Sequence, residues 1–108
     1  MTVVVCGSLN MDVIVQTGRR PLAGETILDG VVTFLPGGKG SNQAIGAARL
    51  GASTAMLGCV GDDVFGRTLR EVLARNRVDA SGVRTVRGAS CDAWSIRCTS
   101  TGEALRGA

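Results

Sequence analysis

The chain has 108 residues, 44% of them apolar and 19% charged, which fits one small globular domain and leaves no room for two. Its formal charge of +3 rests on twelve basic residues scattered from Arg19 to Arg106, and with Tyr absent only Phe34, Phe65 and Trp94 could stack on bases, so a nucleic-acid surface is poorly supported. Four cysteines, Cys6, Cys59, Cys91 and Cys98, show no C-x-x-C spacing, and the absence of histidine removes the commoner zinc sites.

Val3-Val4-Val5-Cys6 is an unbroken β-branched run closed by Gly7-Ser8, a pattern that suits a central strand buried on both faces. No basic leader precedes it, and the run is far too short for a signal core or a membrane span. The chain is therefore expected to be cytoplasmic and reduced, without a membrane partner. Cys6 and Cys59 sit in apolar runs and are expected to be buried thiols. Residues Asp12 to Gln16 and Thr26 to Leu35 carry further β-formers on either side of the turn-rich stretch Gly18 to Gly24, and read as short antiparallel strands inserted after the first.

Lys39 to Leu50 is rich in alanine and ends at Gly51, where a helix C-terminus needs a residue with positive φ. Ala55 to Val60 is a second buried-strand candidate, after which Asp62 or Asp63 offers an N-cap to a helix reaching about Asn76. On that helix Phe65, Leu69, Val72 and Leu73 recur at helical spacing, while Arg67, Arg70, Glu71 and Arg75 are expected to face mostly away. Val83 to Val86 reads as a third strand and Ala93 to Arg97 as a short edge strand, and the pattern dissolves after Cys98. Strands alternating with helices imply a parallel sheet with right-handed crossovers, hence an α/β layered fold.

The stretch from Leu35 to Asn42, Leu-Pro-Gly-Gly-Lys-Gly-Ser-Asn, places glycines, a lysine and an amide at the mouth of the first predicted helix. Free backbone N–H groups there favour an anionic or hydroxyl-rich ligand. It is not a Walker A loop, since Thr33 stands where the first glycine is needed and Gly40 follows the lysine, and no G-x-G-x-x-G occurs. A strand-to-helix turn would account for the glycines on its own, and Asn10 and Asp12 are ordinary turn residues. Ligands in open α/β sheets, however, bind beyond the carboxyl ends of the strands, where both Asn10-Met11-Asp12 and the helix mouth at Gly38 are expected. An ionised aspartate accepts paired hydroxyls while Lys39 and Asn42 donate, which outlines a polyol site.

From Val3 to about Gly88 these residues resemble the ribokinase-like (PfkB) carbohydrate kinases. The resemblance is carried by Gly7-Ser8-Leu9-Asn10-Met11-Asp12, by Pro21 to Thr26, by Gly37-Gly38-Lys39-Gly40-Ser41-Asn42-Gln43-Ala44, and by Val60 to Gly66, all in register. It implies the N-terminal portion of a three-layer α/β fold with a parallel central sheet and a small β lid insert over about 12–35. It also implies Asn10, Asp12, Gly38, Lys39 and Asn42 as sugar contacts, and a homodimer formed through the lid. The Gly-Gly-Lys-Gly-x-Asn-Gln-Ala form is similar to that of ribokinases proper and favours D-ribose as substrate, phosphorylated to ribose 5-phosphate, with another pentose, a hexose or a nucleoside as alternatives.

Members of this family are much longer, and their second half supplies the groups that transfer the γ-phosphoryl group of MgATP, with a monovalent cation such as K+. The D-T-x-G-A-G-D motif, whose last aspartate is the base, and the N-x-x-E motif linked to magnesium are both absent here. No catalytic, nucleotide-binding or metal-binding residue is therefore expected in this chain, and it is expected to be inactive alone. Residues 98–108 also depart from the family pattern, and a frameshift close to Cys98 would account for the departure. A non-catalytic sugar-binding or dimerisation module, or an unstable truncated product, are the alternative readings of the whole.

Overall fold

The computed structural model describes residues 1–91 in full and the backbone of 93–94, 96–97 and 104–105. These fall into two compact units, Met1–Met11 with Pro36–Asp92, and Asp12–Leu35 with Ala93–Ala108.

The first unit is a three-stranded parallel sheet in the order β1 (Thr2–Cys6), β4 (Ser53–Gly61), β5 (Val78–Val86), with helices α1 (Lys39–Arg49) and α2 (Val64–Arg75) in the crossovers. The parallel α/β class expected from the alternation of strands and helices is thus what forms. Helix α1 ends where Gly51 takes φ 94°, as its position after the alanine-rich run requires. Helix α2 is capped by Asp63, whose carboxylate accepts the Gly66 N–H at 2.8 Å. One face of the sheet packs against both helices around Met56, Leu69, Leu73 and Val83, each almost wholly buried. Burying side chains of this size contributes about 1.5–3 kcal/mol apiece and is the main driving force of the unit.

Three expectations need correction. Val3–Cys6 is not a central strand, because β1 lies at one end of the sheet order and β4 occupies the centre. Among the described residues neither strand is covered on both faces: Thr54, Met56 and Val60 of β4 are buried under the helices, while Val4 and Leu57, on the opposite face, are 59% and 42% exposed. Cys6 and Cys59 alternate onto that uncovered face and are exposed thiols, whereas Cys91 is buried. Arg70, finally, does not face away from the sheet. Its guanidinium reaches back to Thr85 Oγ1 at 3.1 Å and to the carbonyls of Ala80 and Val83, beside the one-residue bulge where β5 slips against β4 between Ala55 and Leu57. The planar arginine fork donates to both carbonyls of β5.

In the second sheet β2 (Asn10–Gln16) lies between β3 (Val31–Gly37) and β6 (Ala93–Trp94), and a separate two-stranded sheet pairs β7 (Ile96–Arg97) antiparallel with β8 (Ala104–Leu105). The strand expected from Thr26 begins only at Val31. Leu22 to Glu25 forms a turn with Gly24 at φ 76° and a Glu25 N–H to Leu22 carbonyl bond of 3.0 Å, and Glu25 pairs with Arg19 at 2.5 Å. Strand β3 leaves Val31, Val32, Phe34 and Leu35 about half exposed. The Trp94 side chain, Cys98 and the proposed frameshift lie outside the described residues.

Candidate functional site

The mouth of α1 is built on close backbone approach. The chain leaves β1 at Cys6 and turns through Gly7-Ser8, where the Ser8 carbonyl accepts the Ser41 N–H at 3.0 Å. A Cβ on Gly40 would stand 2.8 Å from the backbone of Gly7, so these two glycines let the loop and the helix touch. Gly38, the N-cap of α1, takes φ 100°, and a Cβ there would meet the Ser8 carbonyl oxygen at 2.5 Å and Asn10 Oδ1 at 2.9 Å. Only glycine fits this position on both counts. A good part of the glycine signature is thus packing rather than ligand chemistry.

What the packing leaves is a polar rim. Asn10, half-buried, is held beside Gly38, and Lys39 and Asn42 occupy the exposed first turn of α1, with the Asn42 N–H bonded to the Gly38 carbonyl at 2.9 Å. Lys39 sits where a cation opposes the helix dipole, and the first turn contains no acidic residue. Asp12 is two residues beyond Asn10 on β2, half-buried, and opens the second unit. Within the first unit, then, Asn10, Gly38, Lys39 and Asn42 come together as the sequence suggests.

A second group was not legible in the sequence. Asp63 is more than a cap: its other carboxylate oxygen accepts the Cys91 N–H at 2.8 Å, and the Gly61 N–H donates to Cys91 Sγ at 3.1 Å. These bonds tie the segment after β5 to the start of α2. Beside them, at the carboxyl ends of β4 and β5, a cavity of about 160 Å3 is lined by Leu9, Cys59, Val86, Ser90 and Cys91 among others. Sequence separations of 28 and 30 residues carry no local signal of these contacts. The N–H groups of Gly66 and then Cys91 hold the Asp63 carboxyl below its usual range, with a smaller contribution from Arg67.

A pH dependence follows from that depressed value. A carboxylate more acidic folded than unfolded contributes stability that is full above its unfolded pKa, about 3.9, and is lost as pH falls through the folded value. Urea titrations should therefore show the native chain losing stability below about pH 4 more steeply than an Asp63→Asn variant. Equal acid slopes would remove Asp63 from this role.

A model of the pfkB family of carbohydrate kinases matches residues 1–97. The chain belongs to that family. It is 49% identical to the ribokinase of Bacillus subtilis over 81 residues, 75% of this chain and 26% of that protein. Against the ribokinase of Schizosaccharomyces pombe the identity is 39% over 95% of this chain and 34% of the relative. Among solved structures, Arabidopsis thaliana ribokinase complexed with ribose and ATP superposes with a TM-score of 0.83 at 33% identity, covering 97% of this chain and 34% of that one. Giardia lamblia ribokinase gives 0.85 at 28% identity, over 98% of this chain and 32% of that structure. The expected ribokinase-like α/β fold is thereby established, and the chain spans between about a quarter and a third of the length of these relatives.

Proposed function

We propose that this chain is the sugar-binding portion of a carbohydrate kinase, with ribose as the sugar and Asn10, Asp12, Gly38, Lys39 and Asn42 as its contacts. The observation that carries the reading is the seat of Asn10 Oδ1 against Gly38 at the mouth of α1, which sets an amide beside a helix N-terminus bearing a lysine. The ribose assignment is supported by the Gly-Gly-Lys-Gly-Ser-Asn-Gln-Ala run from Gly37 to Ala44 and by the relatives that carry the ribokinase name. Asn10 and Asp12, alternate residues of one strand, share its face and can accept from neighbouring sugar hydroxyls, to which Lys39 and Asn42 add donors.

The phosphate donor is a different matter. Among the described residues no three His, Cys, Asp or Glu side chains gather as metal ligands. In this proposal ATP, Mg2+ and a monovalent cation such as K+ are held by the part of the longer relatives that this chain does not span. The segment 12–35 acts as a lid over the sugar, and the half-exposed apolar residues of β3 suit its role as a homodimer contact. No helix among the described residues is long and apolar enough to cross a membrane, and a cytoplasmic location belongs to the same proposal.

Calorimetric titration of the chain with ribose, fructose and deoxyribose tests the reading, with ribose expected to bind most tightly. A folded chain that binds none of them would overturn it. In a full-length form Asp12→Ala should weaken ribose binding by about 1.5–3 kcal/mol, the range for hydrogen bonds to a charged acceptor. Lys39→Met should lower kcat/KM there, and an unchanged value would return Lys39 to the solvated surface.

A further inference from the structure

At the end of the first unit away from the Gly38 mouth, a concavity of about 220 Å3 is lined by Ala48, Arg49, Arg75, Asn76 and Arg77. Helix α1 has 11 residues and so keeps it about 16 Å from the sugar contacts. Three exposed guanidinium groups meet there, and among the described residues none of them has a carboxylate in ion-pair range. Arg49 is held in place: its Nε donates to Asn76 Oδ1 at 2.9 Å, and Asn76 Nδ2 in turn donates to the Val72 carbonyl at 2.8 Å. That leaves the two Nη groups of Arg49 available to a ligand.

Helix dipoles alone do not account for the cluster. Arg49 and Arg75 stand in the last turns of α1 and α2, where one cation each offsets a partial charge of about −0.5. Arg77 follows the Asn76 C-cap of α2, where its N–H bonds the Ala74 carbonyl at 3.0 Å, and the sum over both termini and three arginines is still roughly +2. Arg77 moreover takes φ 60°, a left-handed conformation that glycine adopts without strain and a side chain does not. A positive charge is held at this position against the local backbone preference.

We propose that Arg49, Arg75 and Arg77 form a binding site for the phosphate groups of a small, soluble, multiply charged anion. The planar guanidinium fork matches phosphate oxygens two at a time, and several forks around one concavity suit adjacent phosphates better than a single monovalent ion.

Calorimetric titration of the chain with tripolyphosphate, at about 0.15 M ionic strength to suppress diffuse attraction, tests this. Arg77→Gly is the decisive variant, because it should raise the thermal midpoint while weakening tripolyphosphate binding at least tenfold. Arg49→Gln combined with Arg75→Gln should weaken it at least as much, whereas Arg84→Gln with Arg87→Gln removes two exposed charges elsewhere and should leave it within twofold. Unchanged affinity in Arg77→Gly, or an equal loss in the Arg84 and Arg87 control, would overturn the site. Capture of the chain by phosphatidylserine vesicles that Arg77→Gly abolishes would overturn the soluble ligand in favour of a membrane surface.

Discussion

Incubated with ribose and MgATP, the 108-residue chain is expected to form no ADP, and light scattering is expected to find it self-associated. The chemical half of this expectation rests on what phosphoryl transfer needs, namely a positioned base and groups that stabilise the phosphate charge in the transition state. Asn10, Asp12, Lys39 and Asn42 can hold a sugar in its ground state, and the Asp12 carboxylate alone, without groups that position and stabilise the phosphates, does not transfer one. The energetic half rests on the sheet. Ordering a chain of this size costs on the order of 100–200 kcal/mol of conformational entropy, nearly all of which burial must offset. Only one face of β1, β4 and β5 is covered by helices among the described residues, and Val4, Leu57, Cys6 and Cys59 are exposed on the other. Such a face associates in water. Val4→Lys, which places a charge on the outer strand, should shift the distribution towards monomer. Ribose-dependent turnover by a monodisperse preparation of the native chain would sink the expectation, since it would require phosphate-stabilising groups among residues that here only bind sugar and pack.

Two glycine-to-alanine changes, both inside helices, should have opposite signs. Gly66 lies in the first turn of α2, and a Cβ there would run into the carbonyl oxygen of Gly61, which is backbone and cannot rotate away. Gly66→Ala must therefore displace the start of α2 from β4 and break the Asp63 cap that bonds the Gly66 N–H. Overpacking of this kind costs about 1–3 kcal/mol or more, enough to unfold a chain of small margin. Gly46 lies in the middle of α1 with nothing within 4 Å of a built Cβ. Gly46→Ala should raise stability by about 0.5–1 kcal/mol, because alanine loses less backbone entropy in a helix. Thermal melts of the two variants decide it: a Gly66→Ala midpoint at or above the native one would contradict the close contact.

The features that local chemistry governs could be read from the residues alone. Gly51 stops α1 because its backbone needs positive φ, and an aspartate before the Val-Phe-Gly-Arg run caps α2 because its carboxylate reaches an N–H three residues on. The polar rim at Asn10, Gly38, Lys39 and Asn42 was legible for a similar reason, since a strand end and a helix start in a parallel fold meet at the same edge of the sheet. Which strand face is covered could not be read this way. Val-Val-Val-Cys has the same composition whether one face or both are buried, so the exposure of Cys6 and Cys59 followed only from where the helices lie. Arg70 carries a charge that suits solvent, yet it turns inward to bond Thr85 and the Ala80 and Val83 carbonyls of β5, partners that only the packing of α2 on the sheet supplies. The bond from Cys91 to Asp63 and the meeting of Arg49 with Arg75 and Arg77 likewise join residues far apart in the chain. Tertiary structure decides such contacts, because burial and register depend on every segment at once while caps and turns depend on their nearest neighbours.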